Sequence, residues 1–148
     1  MSEILFYHLE TQPLERVLPV LLERSLERGW RAVVETSSRE RAAALDALLW
    51  TWRDDSFLPH AVAGEPTDPD QPVLITTDAG NANAAEVRFF VDRAVPQSGE
   101  GYIRIVYMFS GHDPDAVAEA RAAWKALRDG NDLTYWQQDE AGRWVKKG

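Results

Sequence analysis

Arg121, Trp124, Lys125 and Arg128, toward the end of the chain, are separated by intervals of three and four residues. In a helix this spacing puts all four on one face, an indole flanked by three cations. Such a stripe suits a ligand that is both acidic and apolar. Other groupings that could do chemistry are weaker. Ser110-Gly111-His112-Asp113 brings together the residue types of a nucleophile, a base and an orienting acid. A triad needs these side chains to converge in space, and as sequence neighbours they read as a turn and a helix cap. Asp54-Asp55 reads as a solvated corner behind a helix. His8, His60 and His112 lack the spacing of a metal motif. No catalytic, cofactor-binding or metal-binding residue is assigned, so recognition is the expected business of this chain.

Composition narrows the classes. A length of 148 residues suits a single domain, expected over residues 1–148. The formal charge of −8 disfavours direct high-affinity binding to nucleic acid through phosphate neutralisation. Up to Gly111 the chain carries 10 basic and 17 acidic residues, and beyond it 6 and 7, so the basic stripe lies in the less acidic part. Charges are screened over about 8 Å at physiological salt, so the stripe can attract an acidic ligand despite distant carboxylates. No cysteine is present, which excludes disulfides and thiolate chemistry and fits a reducing compartment. Without a signal-like segment or an apolar run of eighteen residues, the chain is expected to be cytoplasmic, with no membrane partner.

Several elements must position the stripe. Ile4 to Leu9 reads as a strand, followed by Leu14, Val17, Leu18, Leu21, Leu22 and Leu26 at helical spacing up to Gly29. Pro19 is expected to kink or split that helix. Ala32-Val33-Val34 predicts a second strand, and Ser37 with Glu40 a capping box opening a helix through Trp52. The proline-rich stretch from Phe57 to Pro72 is expected to be largely loop. Val73–Thr77, Val87–Val91 and Ile103–Phe109 predict three more strands, joined by segments too short for long crossover helices. Asp113-Pro114 and Gly130 bracket a helix whose buried face is Ala116, Ala120, Ala123 and Leu127. Leu133–Gln138 and Arg143–Lys146 flank a turn and predict a C-terminal hairpin. Together these predict a three-layer, Rossmann-like α/β fold with a mostly parallel central sheet. Neither G-x-x-x-x-G-K-[ST] nor G-x-G-x-x-G is present, so no phosphate-binding loop is expected.

Trp52 falls with Leu45, Leu48 and Leu49 on the second helix, whereas Trp50 points away from that stripe. Trp50 is either exposed for binding or packed beneath the following loop. Trp124 is either part of a binding face or packed against the C-terminal hairpin.

Phe6-Tyr7, Ala47-Leu48-Leu49-Trp50, Ser56-Phe57-Leu58-Pro59-His60 with Gly64-Glu65, and Pro72-Val73-Leu74-Ile75 occur in that order. Arg121-Ala122-Ala123-Trp124-Lys125, Tyr135-Trp136-Gln137-Gln138 and Gly142-Arg143-Trp144 follow. Together these motifs resemble the chi subunit of bacterial DNA polymerase III holoenzyme over nearly the whole chain. The resemblance implies a non-catalytic accessory subunit of the clamp-loader assembly, Rossmann-like in fold and without a nucleotide site. It implies that the psi subunit, or another clamp-loader subunit, is one partner and single-stranded DNA-binding protein the other. The acidic C-terminal tail of the latter, ending in phenylalanine, would be held by Arg121, Lys125, Trp124 and the pair Trp50 and Phe57. Arg128 joins that set on helix geometry alone. The alternative is an acidic-peptide-binding adaptor outside replication.

Overall fold

The computed structural model describes residues 3–51, 59–96 and 101–148. Within these the chain runs β1 (Glu3–Leu9), α1 (Leu14–Glu27), β2 (Ala32–Glu35), α2 (Arg39–Thr51) and β3 (Ala61–Val62). After a 3-10 turn at Asp68–Asp70 come β4 (Val73–Thr76), β5 (Val87–Phe90), β6 (Arg104–Ser110), α3 (Pro114–Leu127), β7 (Asp132–Gln138) and β8 (Trp144–Lys146). The described strands form one sheet in the order β3-β4-β2-β5-β6-β1-β7-β8. Every pairing is parallel except the β7–β8 hairpin. The expected α/β architecture, with its mostly parallel sheet and C-terminal hairpin, is thus what the chain adopts.

Side chains alternate across each strand, so the sheet has two apolar faces. On one, Leu18 and Leu22 of α1 and Ala42, Leu45 and Leu49 of α2 pack over Val34, Ile75, Phe89 and Val106. On the other, Ala116, Ala120, Ala123 and Leu127 of α3 pack over Ile4, Phe6, Ile105 and Tyr107. These four positions are the buried face that the spacing predicts, and the three alanines let α3 approach the sheet closely. The first two helices therefore lie on one side of the sheet and the third on the opposite side.

The second face is only partly covered by helix. β4 and β5 both pair in parallel with β2, so the chain between them must cross over, and it does so without a helix. Residues 77–86 make this crossover, pinned by two buried polar side chains. Asn83 donates to the carbonyls of Ala32 and Gln71 at 3.0 and 2.9 Å. Arg88, 2 % exposed, donates to the carbonyls of Asp78 and Gly80, to the Tyr102 hydroxyl and to the Glu35 carboxylate.

Pro19 does not split α1, which is continuous from Leu14 to Glu27. The proline lies in the second turn, so the carbonyl that loses its partner belongs to exposed Glu15 in the first turn, where water can replace the missing donor. The second helix is capped one residue later than the Ser37 box predicts: Ser38 Oγ accepts from Arg41 N–H at 3.2 Å. The stretch expected to be largely loop is so among its described residues, apart from the two-residue edge strand β3, paired with β4, and the 3-10 turn. Trp52, Asp54 and Asp55 lie outside the described residues.

Gly111 is needed for a close approach. It follows β6 and donates to the Leu9 carbonyl at 2.7 Å, and a Cβ there would enter the space of the His8 ring. Gly111→Ala is expected to lower stability by about 1–3 kcal/mol through overpacking. Thermal unfolding checks this, and an unchanged Tm would mean that His8 moves aside freely.

Candidate functional site

In a doubly wound sheet, ligands bind where successive crossovers leave in opposite directions. That point here lies between β6 and β1, because α1 departs on one face and α3 on the other. A cleft of about 550 Å³ opens there, lined by the β1–α1 and β6–α3 turns. Its walls carry Glu10, Glu15, Asp92 and Asp113 against Arg93. Arg93 is engaged by Asp113 at 3.3 Å and Glu119 at 2.8 Å. The N-terminus of α3, which could hold a phosphate, is instead filled by Asp113, whose carboxylate accepts from the N–H groups of Asp115 and Ala116. His112 donates from Nε2 to the Glu10 carbonyl at 2.6 Å. The Ser110-Gly111-His112-Asp113 group is thus a turn and a cap, and the cleft's carboxylates repel phosphate. Asp113→Ala is expected to cost about 0.5–2 kcal/mol as lost capping, measured by chemical denaturation. Among the described residues no group of His, Asp and Glu is arranged to hold a metal ion.

The basic-aromatic stripe forms on α3. Arg121, Lys125 and Arg128 are exposed, with Arg128 at the C-cap, and none pairs with a carboxylate among the described residues. Cations at a helix C-terminus are favoured by its dipole, so their placement carries little strain even unpaired. Trp124 is half-buried, edge-on to Phe6 at 5.1 Å and to Tyr135 at 5.9 Å. Its ring also borders Gly148, so it packs on the hairpin while remaining partly open to solvent.

Tyr135, not singled out in the sequence, completes this face. Its hydroxyl lies 2.6 Å from His8 Nδ1. Burial raises the pKa of the phenol while nearby Arg121 opposes the rise, so it stays protonated at neutral pH. The signal available was the alternation of the last hairpin, which puts Leu133 and Tyr135 on one side of β7.

Trp50 does not join this group. It is 51 % exposed at the end of α2, with its ring 4.4 Å from that of buried His60, which precedes β3. His60 is fixed by Asp46, through its carbonyl at 3.1 Å and its carboxylate at 3.2 Å. α2 packs at the β3–β4 end of the sheet, whereas α3 packs on β6 from the opposite face. Three strand spacings separate β4 from β6, about 14 Å at the usual spacing, and the sheet itself stands between them. The helix that carries Trp50 and the helix that carries Arg121, Trp124 and Lys125 therefore lie on opposite faces of the sheet. Phe57, the other member of the aromatic pair, lies outside the described residues.

Fold and site together define a doubly wound α/β module whose switch-point cleft is rich in carboxylates and whose exposed helix carries a basic-aromatic face without a carboxylate partner among the described residues. The chain belongs to the family described as DNA polymerase III chi subunit, HolC, whose profile matches residues 1–133. It is similar to the "Probable DNA polymerase III subunit chi" of Rickettsia prowazekii (strain Madrid E), with 26 % identity over 87 residues. That match covers 59 % of this chain and 53 % of the relative, so the chain spans about half the length of the curated protein it matches. No helix among the described residues is long and apolar enough to cross a membrane.

Proposed function

We propose that this chain is a non-catalytic adaptor of the replication machinery that holds the acidic C-terminal tail of single-stranded DNA-binding protein on the α3 face and joins it to the clamp loader. The observation that carries this reading is the α3 stripe: three exposed cations without carboxylate partners among the described residues, beside a half-buried indole, on a chain of formal charge −8. Arg121, Lys125 and Arg128 take the carboxylates of the tail, and its terminal phenylalanine lies against Trp124 and Tyr135. Burying that ring contributes roughly 1.5–3 kcal/mol. Each exposed ion pair adds about 0.2–1 kcal/mol. A single tail then binds at micromolar affinity or weaker, and many tails on coated DNA supply avidity.

A linker needs two surfaces. Exposed Trp50, with Val62 on the neighbouring edge strand, lies on the far side of the sheet from α3 and suits the second, toward psi or another clamp-loader subunit. The test is fluorescence anisotropy of a labelled acidic peptide ending in phenylalanine, at low and high salt, beside the same peptide lacking the last residue. Micromolar, salt-weakened binding that needs the phenylalanine is expected. Absence of binding at both salt concentrations would remove the tail from this account.

A further inference from the structure

On the face opposite α3, three arginines converge on one small cavity. Gly29, at φ +82°, ends α1 and lets Trp30 N–H reach back to the Ser25 carbonyl at 3.1 Å. This turn sets the Trp30 ring beside the last arginines of the helix. The guanidinium carbon of Arg28 lies 5.1 Å from the ring centroid, and that of Arg104, from the start of β6, lies 5.2 Å away. Both guanidiniums are thus held by cation–π contact rather than left to sample solvent. Arg24, one turn before Arg28, completes the set, and a cavity of about 140 Å³ lies among them.

Among the described residues no carboxylate lines this cavity. Arg104 shares its charge with Glu3 at 3.2 Å, while Arg24 and Arg28 have no carboxylate partner among the described residues. Arg24 and Arg28 stand four apart on one helix, an arrangement in which like charges repel. Tyr7 also lines the cavity, and its hydroxyl makes no hydrogen bond to another described residue. Burial raises its pKa, with the three arginines opposing, so the group is a donor at neutral pH.

We propose that this cavity binds a phosphate dianion, free or as the head of a small phosphomonoester. Arg24, Arg28, Arg104 and Tyr7 line a space that takes one oxyanion and is too small for a nucleoside, whose sites begin near 300 Å³. Three arginines less the charge of Glu3 leave two positive charges, which a dianion balances and a carboxylate does not. Planar guanidinium forks suit the oxygens of phosphate. The site stands apart from the tail-binding reading, because the sheet separates it from α3.

The test follows the tryptophan indole N–H signals by NMR. The full chain is titrated with inorganic phosphate, a nucleoside 5′-monophosphate, the unphosphorylated nucleoside and acetate, all at constant ionic strength. The Trp30 signal, assigned through Trp30→Phe, is expected to shift saturably with the first two ligands only. Arg24→Gln with Arg28→Gln should weaken binding at least tenfold and Tyr7→Phe a few-fold, with Arg121→Gln leaving it unchanged. Saturation by phosphate alone assigns the site to the free ion, and saturation by both extends it to monoesters. No saturable shift, an equal response to acetate, or full affinity in the Arg24→Gln, Arg28→Gln variant would overturn the proposal. If that variant does not fold, Tyr7→Phe decides alone, and unchanged affinity there counts against the site.

Discussion

Arg121→Glu combined with Lys125→Glu is expected to weaken binding of an acidic, phenylalanine-ended peptide at least tenfold, whereas Trp50→Ala leaves the affinity within twofold of the parent chain. Each reversal removes an attraction of about 0.2–1 kcal/mol and installs a repulsion of similar size, so two together come to about 1–4 kcal/mol. Tenfold corresponds to about 1.4 kcal/mol. Both side chains are exposed on α3 and lack a carboxylate partner among the described residues, so their replacement should leave thermal stability nearly unchanged. The salt dependence should shrink in the same variant, since the remaining contact is largely apolar. The Trp50 arm separates two geometries. A tail site confined to α3 is indifferent to Trp50, while a pocket that included the indole would lose several-fold affinity in Trp50→Ala. Equal loss in both variants would require a tail that wraps around the sheet, and that result would sink the one-face account. Conversely, clamp-loader subunits should be lost from pull-downs with Trp50→Ala and retained with the α3 reversal.

Arg88→Ala is expected to be the most damaging single change away from the apolar core. Arg88 is 2 % exposed and serves four acceptors at once: the carboxylate of Glu35, the carbonyls of Asp78 and Gly80, and the hydroxyl of Tyr102. Its guanidinium also lies over the rings of Phe90 and Tyr102, at 5.5 and 5.7 Å. Removing it leaves the Glu35 carboxylate, 18 % exposed, without its cation, and frees the crossover of residues 77–86 that covers part of the sheet in place of a helix. Breaking a buried pair from one side costs about 3–5 kcal/mol. At about 2–4 °C per kcal/mol for a chain of this size, Tm should fall by about 6–20 °C. Arg88→Lys keeps the charge but not the fork, and should fall between. Pairing Arg88→Ala with Glu35→Ala should recover part of the loss, which a double-mutant cycle reads as coupling. A Tm within 2 °C of the parent for Arg88→Ala would show that the crossover is held by something else, such as Asn83.

Several features were readable directly from the chain. The α3 cap at Asp113, its buried stripe of Ala116, Ala120, Ala123 and Leu127, and the placement of Arg121, Trp124, Lys125 and Arg128 on α3 follow from spacing within a few turns. The parallel strands and final hairpin were legible as well, since runs such as Val73–Thr76 alternate with turn residues. Spacing left open whether Pro19 would kink or split α1, because its cost depends on whether water can reach the orphaned carbonyl, which spacing does not report.

The amino-acid sequence by itself determined which segments become helix or strand, and which residues share a face of each helix. Those outcomes depend on neighbours three or four positions away and on local capping. Only the tertiary structure decided that β1 lies between β6 and β7, that α2 and α3 cover opposite faces, and hence that Trp50 stands apart from Trp124. It also decided that Arg88 is buried and that Arg24, Arg28 and Arg104 meet beside Trp30. Strand order and the face on which each crossover passes are set by contacts between residues tens of positions apart, and no local spacing carries that information.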